Sequence, residues 1–289
     1  MTDMTMPALR RERRGFIVPV FAARHTGSLL AVLYLVVLVT ASLAPGLFTH
    51  VDPMAIAPRE AFQGPSVSHL FGTDQSGRDV LARVIHGARQ SLLLGISAIT
   101  LALSIATILA LTGGLGGPVL EKGVRWLLDV MFSIPSLVLA LLFTATLGSG
   151  IIPLIVAIGV GSSAGYARIV FGQVLAVRHA GYIEAARALG HTPTRIMVRH
   201  ILPNAFRPLI VMGTMGIGQM IVWSASLSFL GLGARPPAAE WGTMLSMGRD
   251  FVAEAWWMTF FPGLAIVVTM LATTIAGRSL QRVIDGRIS

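Results

Sequence analysis

Six apolar stretches of about 20 residues divide the chain, at residues 28–48, 91–111, 124–147, 151–170, 208–232 and 257–276. At about 1.5 Å of rise per residue, each is long enough to cross a hydrocarbon core of roughly 30 Å. Each is predicted to be a helix, because an exposed backbone in lipid must satisfy its own polar groups. The fourth is the least regular: it carries Pro153, Gly159, Gly161 and Gly165 and runs into Arg168. Pro135, in Ser133-Ile134-Pro135-Ser136, removes a backbone donor and is expected to kink the third. Gly161, Gly165, Gly213, Gly216 and Gly218 are expected to let helices approach closely.

The polar segments between these runs set the organisation. A basic tail covers 1–27, the first span 28–48 and an outer segment 49–90. A core of five further spans covers 91–280, and a short tail 281–289 follows. Inside the core lie a short loop near 113–123, a long polar segment at 173–207 and a loop near 233–256. No internal repeat is visible, which argues against transporters built from inverted repeats.

Charge orients the spans. Six crossings place both termini on one side. With the N-terminus inside, sixteen of the 22 Lys and Arg residues are inside and six are outside: Arg59, Arg78, Arg83, Arg89, Arg235 and Arg249. This bias favours an N-in, C-in arrangement. A rival reading takes Arg10–Arg14 as the start of a cleaved signal peptide, with Ser42-Leu43-Ala44 as its cleavage site. Its apolar run is longer than the roughly 7–15 residues usual there.

Composition agrees with the pattern. The chain is 54% hydrophobic and 12% charged, with a mean hydropathy of +0.75. One soluble core of this size could not bury so much apolar surface. The net charge of +9 would suggest nucleic acid in a soluble protein. Concentrated beside membrane spans it marks a cytoplasmic face instead, and no nucleic-acid partner is expected. Cysteine is absent, which excludes disulfides and thiolate metal sites.

Several chemistries lack their residues. The single lysine, Lys122, sits in Leu120-Glu121-Lys122-Gly123, with no following Ser or Thr to complete a P-loop. All seven histidines fall outside the spans, and HExxH is absent. An intramembrane hydrolase or zinc protease therefore has neither base nor ligands, and no metal site is expected. Apart from Arg125 at the inner start of the third span, the charged residues within the spans are Asp129 and Arg168, near cytoplasmic ends, read as interface residues with partners or snorkelling tips. No acidic or histidine relay crosses the bilayer, so uphill transport needs energy from another chain. The spans also carry Thr100, Ser104, Ser133, Thr144, Gln219, Ser224, Ser226, Thr269 and Thr273. These hydroxyls and amides either wet a path or bond within and between helices. Gln219, Trp223 and Ser226, spaced by four and three, share a helical face and are the pore-lining candidates.

The inner segment YIEAARALGHTPTRIMVRHILPN, residues 182–204, is the most specific. Glu184 to Leu189 favour a short helix, Gly190 suits the left-handed residue after its end, and Thr192-Pro193 suit the N-cap and first position of another. The second helix is expected to present Ile196, Arg199 and His200 and to yield at Leu202-Pro203. Two short helices around a glycine corner suit docking into a partner's groove. Composition equally allows an amphipathic element with Arg187, Arg195 and Arg199 on lipid phosphates.

Glu184, Ala185, Ala186 and Gly190, followed by Ile201, Leu202 and Pro203, closely resemble the EAA loop of permease subunits of ABC importers. Three further stretches resemble the C-type subunits of the peptide-importer branch, which also handles nickel complexes. They are Gly72-Thr73-Asp74 with Gly77-Arg78-Asp79 and Gly87–Ser91, then Ser228–Gly233 with Pro236-Pro237 and Glu240-Trp241-Gly242, and Phe261-Pro262-Gly263-Leu264. The resemblance implies an all-α polytopic membrane protein with the type I importer permease fold, in a bacterial cytoplasmic (inner) membrane. It implies a pore shared with a second homologous permease subunit, two cytoplasmic ATPase subunits and an extracytoplasmic substrate-binding protein. This chain would hold no cofactor, and ATP and Mg would bind the ATPases. Glu184, Ala185, Ala186, Leu189 and Gly190 would form the coupling helix, with the small alanines allowing close approach to an ATPase. Asp74, Arg78, Asp79, Glu240 and Trp241 would help to receive the binding protein. The other class in play is a channel or secondary carrier for a small polar solute, which needs no such inner projection.

Overall fold

The computed structural model describes residues 18–284 and 286, with side chains from Thr26 onward. The basic residues Arg10, Arg11, Arg13, Arg14 and Arg287, and the signal-peptide reading of Arg10–Arg14, lie outside the described residues. Ten α-helices carry the described chain: α1 (Val18–Leu43), α2 (Val80–Leu115), α3 (Gly117–Ser133), α4 (Ser136–Leu147), α5 (Ile151–Arg178), α6 (Gly181–Ala188), α7 (Pro193–Ile196), α8 (Leu202–Phe229), α9 (Trp241–Gly248) and α10 (Trp257–Ile284). Among the described residues there is no strand, only one isolated bridge between Thr73 and Asp79.

Five helical runs are long and apolar enough to span a membrane: α1, α2, α5, α7 continued through α8, and α10. A sixth span is counted if α3 and α4 act together. The expected kink there is a break: the two helices meet at 85°. Ile134 and Pro135 both adopt extended backbone between them. Proline disfavours helical geometry in the residue before it, which explains why the chain straightens at Ile134 rather than bending smoothly.

The long helices overrun the boundaries read from hydropathy. α1 starts at Val18, inside the segment read as a tail, and ends at Leu43 before a short 3₁₀ turn at Pro45–Leu47. α2 starts at Val80 and runs for 36 residues. Its first turns hold Arg83, His86, Arg89 and Gln90, so the apolar run begins later than the helix. Asp79 caps it, its side chain accepting from the Ala82 amide at 2.8 Å. α8 likewise begins before its apolar run. Pro203 does not end the preceding helix, as expected from sequence, but sits in the first turn of α8. A wide π-turn at Met197–Ile201 precedes it, and Leu202 donates back to Met197 rather than to the residue four before. That wider ladder makes room for a residue with no N–H to give.

α2 and α5 pack along most of their lengths and form the centre of the bundle, with α8 against α2 and α10. Three apolar clusters fill it. The inner one joins Ala106, Val124, Phe171 and Val174 to Ile183, Ala186, Ile196 and Ile201. The middle one joins Leu94, Ala140, Leu154, Ile158 and Met220. The outer one is built on Leu38, Val80, Trp241 and Trp257. Small residues set the spacing. A Cβ on Gly218 would collide with the Met270 backbone, and one on Gly216 with Ile99 and Tyr166. Gly161 lies close against the Ser136 carbonyl, whereas Gly165, expected to serve likewise, has open space beside it. Leu29, Leu30, Leu33 and Val36 of α1 face outward, as helices in lipid require.

Candidate functional site

The inner projection grows from the ends of α5 and α8. α6 ends as the sequence predicts, at a left-handed Gly190 (φ +77°). Gly190 donates to Arg187 at 2.9 Å and His191 to Ala186 at 3.1 Å, the paired bonds of a Schellman close. Thr192 then caps α7, accepting from the Arg195 amide at 3.3 Å, with Pro193 in the first turn. Asn204 closes the π-turn by donating to the His200 carbonyl at 2.8 Å and lies 3.4 Å from the Tyr182 hydroxyl.

α6 has two faces. Ile183 and Ala186 are buried in the inner cluster. Tyr182, Glu184, Ala185, Leu189 and Gly190 are exposed, Leu189 to 77%. One expectation is corrected by this: Ala186 is small because it packs against this chain's own core, and only Ala185 is free to meet a partner. The root of the projection is tied down. Arg178, at the end of α5, donates to the Gly114 carbonyl at 2.9 Å and pairs with Glu121 at 3.7 Å. The α2–α3 corner and the α5–α6 corner are thereby joined.

On the outer side, Asp74, Arg78, Asp79, Glu240 and Trp241, expected at the docking surface, are all buried. Asp74 organises a tight turn, accepting from the amides of Ser76 and Arg78 at 2.8 and 2.9 Å. Asp79, besides capping α2, lies 3.0 Å from His69 Nδ1. Glu240 caps α9, accepting from the amides of Gly242 and Thr243, each at 2.8 Å. Trp241 donates its indole N–H to the Val84 carbonyl at 2.9 Å. These residues build the cap and present no side chain outward. Arg83, 1% exposed, was not among the candidates and ties the cap together. Its guanidinium donates to the carbonyls of Pro53, Pro237 and Ala238 at 3.1–3.3 Å and lies 3.7 Å from Asp74. What remains exposed on this side includes Val67, Leu70, Arg235, Asp250, Glu254 and Trp256.

Glu240→Ala removes both acceptors of the α9 cap and is expected to cost about 1–2 kcal/mol, the range for a lost helix cap. Glu240→Gln, which keeps one carbonyl acceptor, should cost less. Thermal unfolding of the purified protein orders the two.

The spanning hydroxyls turn largely inward on their own helices. Thr100, Ser104, Thr144, Ser226, Thr269 and Thr273 each donate to the carbonyl four residues back, at 2.7–3.1 Å. Of the pore-lining candidates, Gln219 and Trp223 are half-buried and Ser226 is exposed. Trp223 packs toward the middle cluster, whereas Ser226 lies in an apolar groove formed by α8, α9 and α10. Asp129 and Arg168, read separately from sequence, form an ion pair at 2.6 Å.

The family described as "Binding-protein-dependent transport system inner membrane component" matches residues 102–289. The chain is 36% identical to the di/tripeptide transport system permease protein of Pseudomonas aeruginosa over 276 residues, covering 92% of this chain and 90% of that one. It is 37% identical to a probable D,D-dipeptide transport system permease protein of Escherichia coli, covering 88% and 85%. In fold it is similar to the inward-facing methionine ABC transporter MetNI, with a TM-score of 0.55 at 21% identity, over 71% of this chain and 95% of that one.

Proposed function

This chain belongs to the binding-protein-dependent transport inner membrane component family and is a permease subunit; on that premise we propose that it admits short peptides, driven by separate ATPase subunits docked on α6. The relatives named for di- and tripeptides and for D,D-dipeptides support the cargo class. The pore is shared with a second permease subunit, an extracytoplasmic protein delivers the cargo, and the membrane is the bacterial cytoplasmic one. ATP and Mg bind the ATPases and not this chain. Residues 173–207 serve as the coupling segment inside the 91–280 core. Gln219, Trp223 and Ser226 remain the proposed α8 contribution to the pore wall. Docking of the binding protein passes to the exposed rim around Val67, Asp250 and Glu254.

The observation that carries this reading is the two-faced α6. Ile183 and Ala186 anchor the helix to the bundle while Tyr182, Ala185 and Leu189, at i, i+3 and i+7, leave an apolar stripe open on the adjoining face. A helix anchored on one face and docked on the other moves with its partner as a rigid body. It follows directly from α5 and leads through α7 and the π-turn into α8, so its movement is expected to reorient two spans.

Because the chain has no cysteine, single thiols report cleanly. Leu189→Cys is expected to cross-link to an ATPase subunit in the assembled complex, and Ile183→Cys to stay silent. Cross-linking at neither position, together with solute flux through this protein in liposomes without ATPases, would favour the channel reading.

A further inference from the structure

Between the broken pair α3–α4 and the middle of α5 lies an open groove of about 480 Å³, lined by Phe132, Ser162, Gly165, Tyr166, Arg168 and Ile169. Its height in the membrane follows from contacts. α5 has 28 residues and is about 42 Å long, roughly 12 Å more than a hydrocarbon core. Arg168 sits about 15 Å from its inner end, so its backbone lies within that core. The break sits at a similar height. The Phe132 ring lies under the Arg168 guanidinium at 4.1 Å, and the Ser136 carbonyl is 3.1 Å from where a Cβ on Gly161 would stand. Ile134 and Pro135 therefore interrupt the helix near the middle of α5.

Two observations favour protein or water over lipid on this face. Residues Phe132 to Pro135 are exposed in the isolated chain. Non-helical backbone at membrane depth is tolerated only inside protein or beside water. The Asp129 and Arg168 side chains are 62% and 52% exposed. A charged pair whose backbone lies inside the hydrocarbon edge is stable where it meets a bundle interior, an aqueous cavity or, by snorkelling, the headgroup zone, and an ion pair turned sideways to α3 favours the first two. Ser162 and Gly165 are small, and nothing lies within 4 Å of a Cβ built on Gly165. The face is thus hollow as well as charged.

The ion pair offers one cation and one anion in contact, and a zwitterionic peptide carries the complement of each; since the ends of an extended tripeptide stand about 10 Å apart, the pair parts to receive them. We propose that this groove is a transit site for peptide cargo, Arg168 receiving the C-terminal carboxylate and Asp129 the N-terminal ammonium. The proposal rests on the peptide reading above. Before cargo arrives the two side chains neutralise each other. Because both side chains are more than half open on the groove side, exchanging partners costs little where water reaches the groove, and a conducting site must release what it binds. The Phe132 ring, stacked on the guanidinium, holds Arg168 in place while its carboxylate partner changes.

The test uses the complete complex of permeases, ATPases and binding protein in liposomes, with tri-alanine as cargo. Arg168→Gln is expected to lower the maximal uptake rate about tenfold or more, the usual scale for a lost charged hydrogen bond. Half-saturation should be unchanged, because the binding protein sets it, and Arg168→Lys should be intermediate. Ser162→Cys is expected to react with a charged, water-soluble thiol reagent, and tri-alanine under turnover to slow that reaction. Wild-type uptake with an undiminished rate in Arg168→Gln overturns the transit site alone. A wild-type complex that carries other solutes but no peptide overturns the peptide reading and this proposal with it. Should Arg168→Gln fail to assemble, the thiol decides: an unreactive Ser162→Cys in every nucleotide state means the face is packed against the partner permease.

Discussion

Arg83→Met is expected to detach the outer cap from the helix bundle, at a cost of about 3–5 kcal/mol, the scale for breaking a buried ion pair from one side. The substitution preserves length and apolar stem but leaves Asp74, 3% exposed, with one cation fewer beside it. It also strands the carbonyls of Pro53, Pro237 and Ala238, which come from two loops far apart in sequence. No other described side chain donates to those three carbonyls. Thermal unfolding of the purified protein and protease cutting within residues 49–79 should both shift. Arg59→Met, at an exposed outer position, is the control and should change stability by no more than about 0.5 kcal/mol. Equal behaviour of the two variants would remove Arg83 from its place as the tie.

Gly190→Val is expected to lower uptake by the assembled complex by roughly tenfold or more while leaving the bundle folded. The reason is conformational. Nothing lies within 4 Å of a Cβ at this position, so size alone is harmless. A β-branched residue at φ +77° is strained by about 1–3 kcal/mol. The strain is relieved by opening the Schellman corner, and α6 then leaves its angle to α7. Gly190→Asn, which tolerates the left-handed region, should retain most uptake. Matching losses in the two variants would mean that the corner's shape has no part in coupling.

The inner projection was legible in the sequence because its signals are local. Gly190 as a left-handed stop and Thr192-Pro193 as a start depend on near neighbours only, and the structure has both. The outer cap was less legible. Asp74, Arg78, Asp79 and Glu240 are polar and lie between apolar runs, which reads as exposure. The carboxylates of Asp74, Asp79 and Glu240 accept from amides only two to four residues away, and Arg78 pairs with Asp74, but whether these groups are buried depends on which distant segments arrive over them. Arg83 shows the same limit, since its partners lie up to 155 positions away. Hydropathy located the spans but not the helix ends, because a helix does not stop where the hydrocarbon does. Pro203 misled for a different reason. Proline signals an end only if the ladder keeps a four-residue step, and the π-turn changes that step.

The unbroken length of α2 carries a mechanical consequence. It contains no proline from Val80 to Leu115 and is about 54 Å long. Its outer end is fastened to the cap through Asp79 and Arg83, and its inner end meets Arg178 through Gly114. A strut fixed at both ends works as a lever: a tilt of about 5° at one end displaces the other by roughly 5 Å over that length. The strut itself has no joint, whereas the helical ladder is interrupted at Ile134-Pro135 and widened at Met197–Ile201, where bending is cheaper than in a regular helix. One lies before α5 in the chain and the other after it, so a tilt of the α2 strut is expected to be taken up on both flanks of α5 rather than within α2.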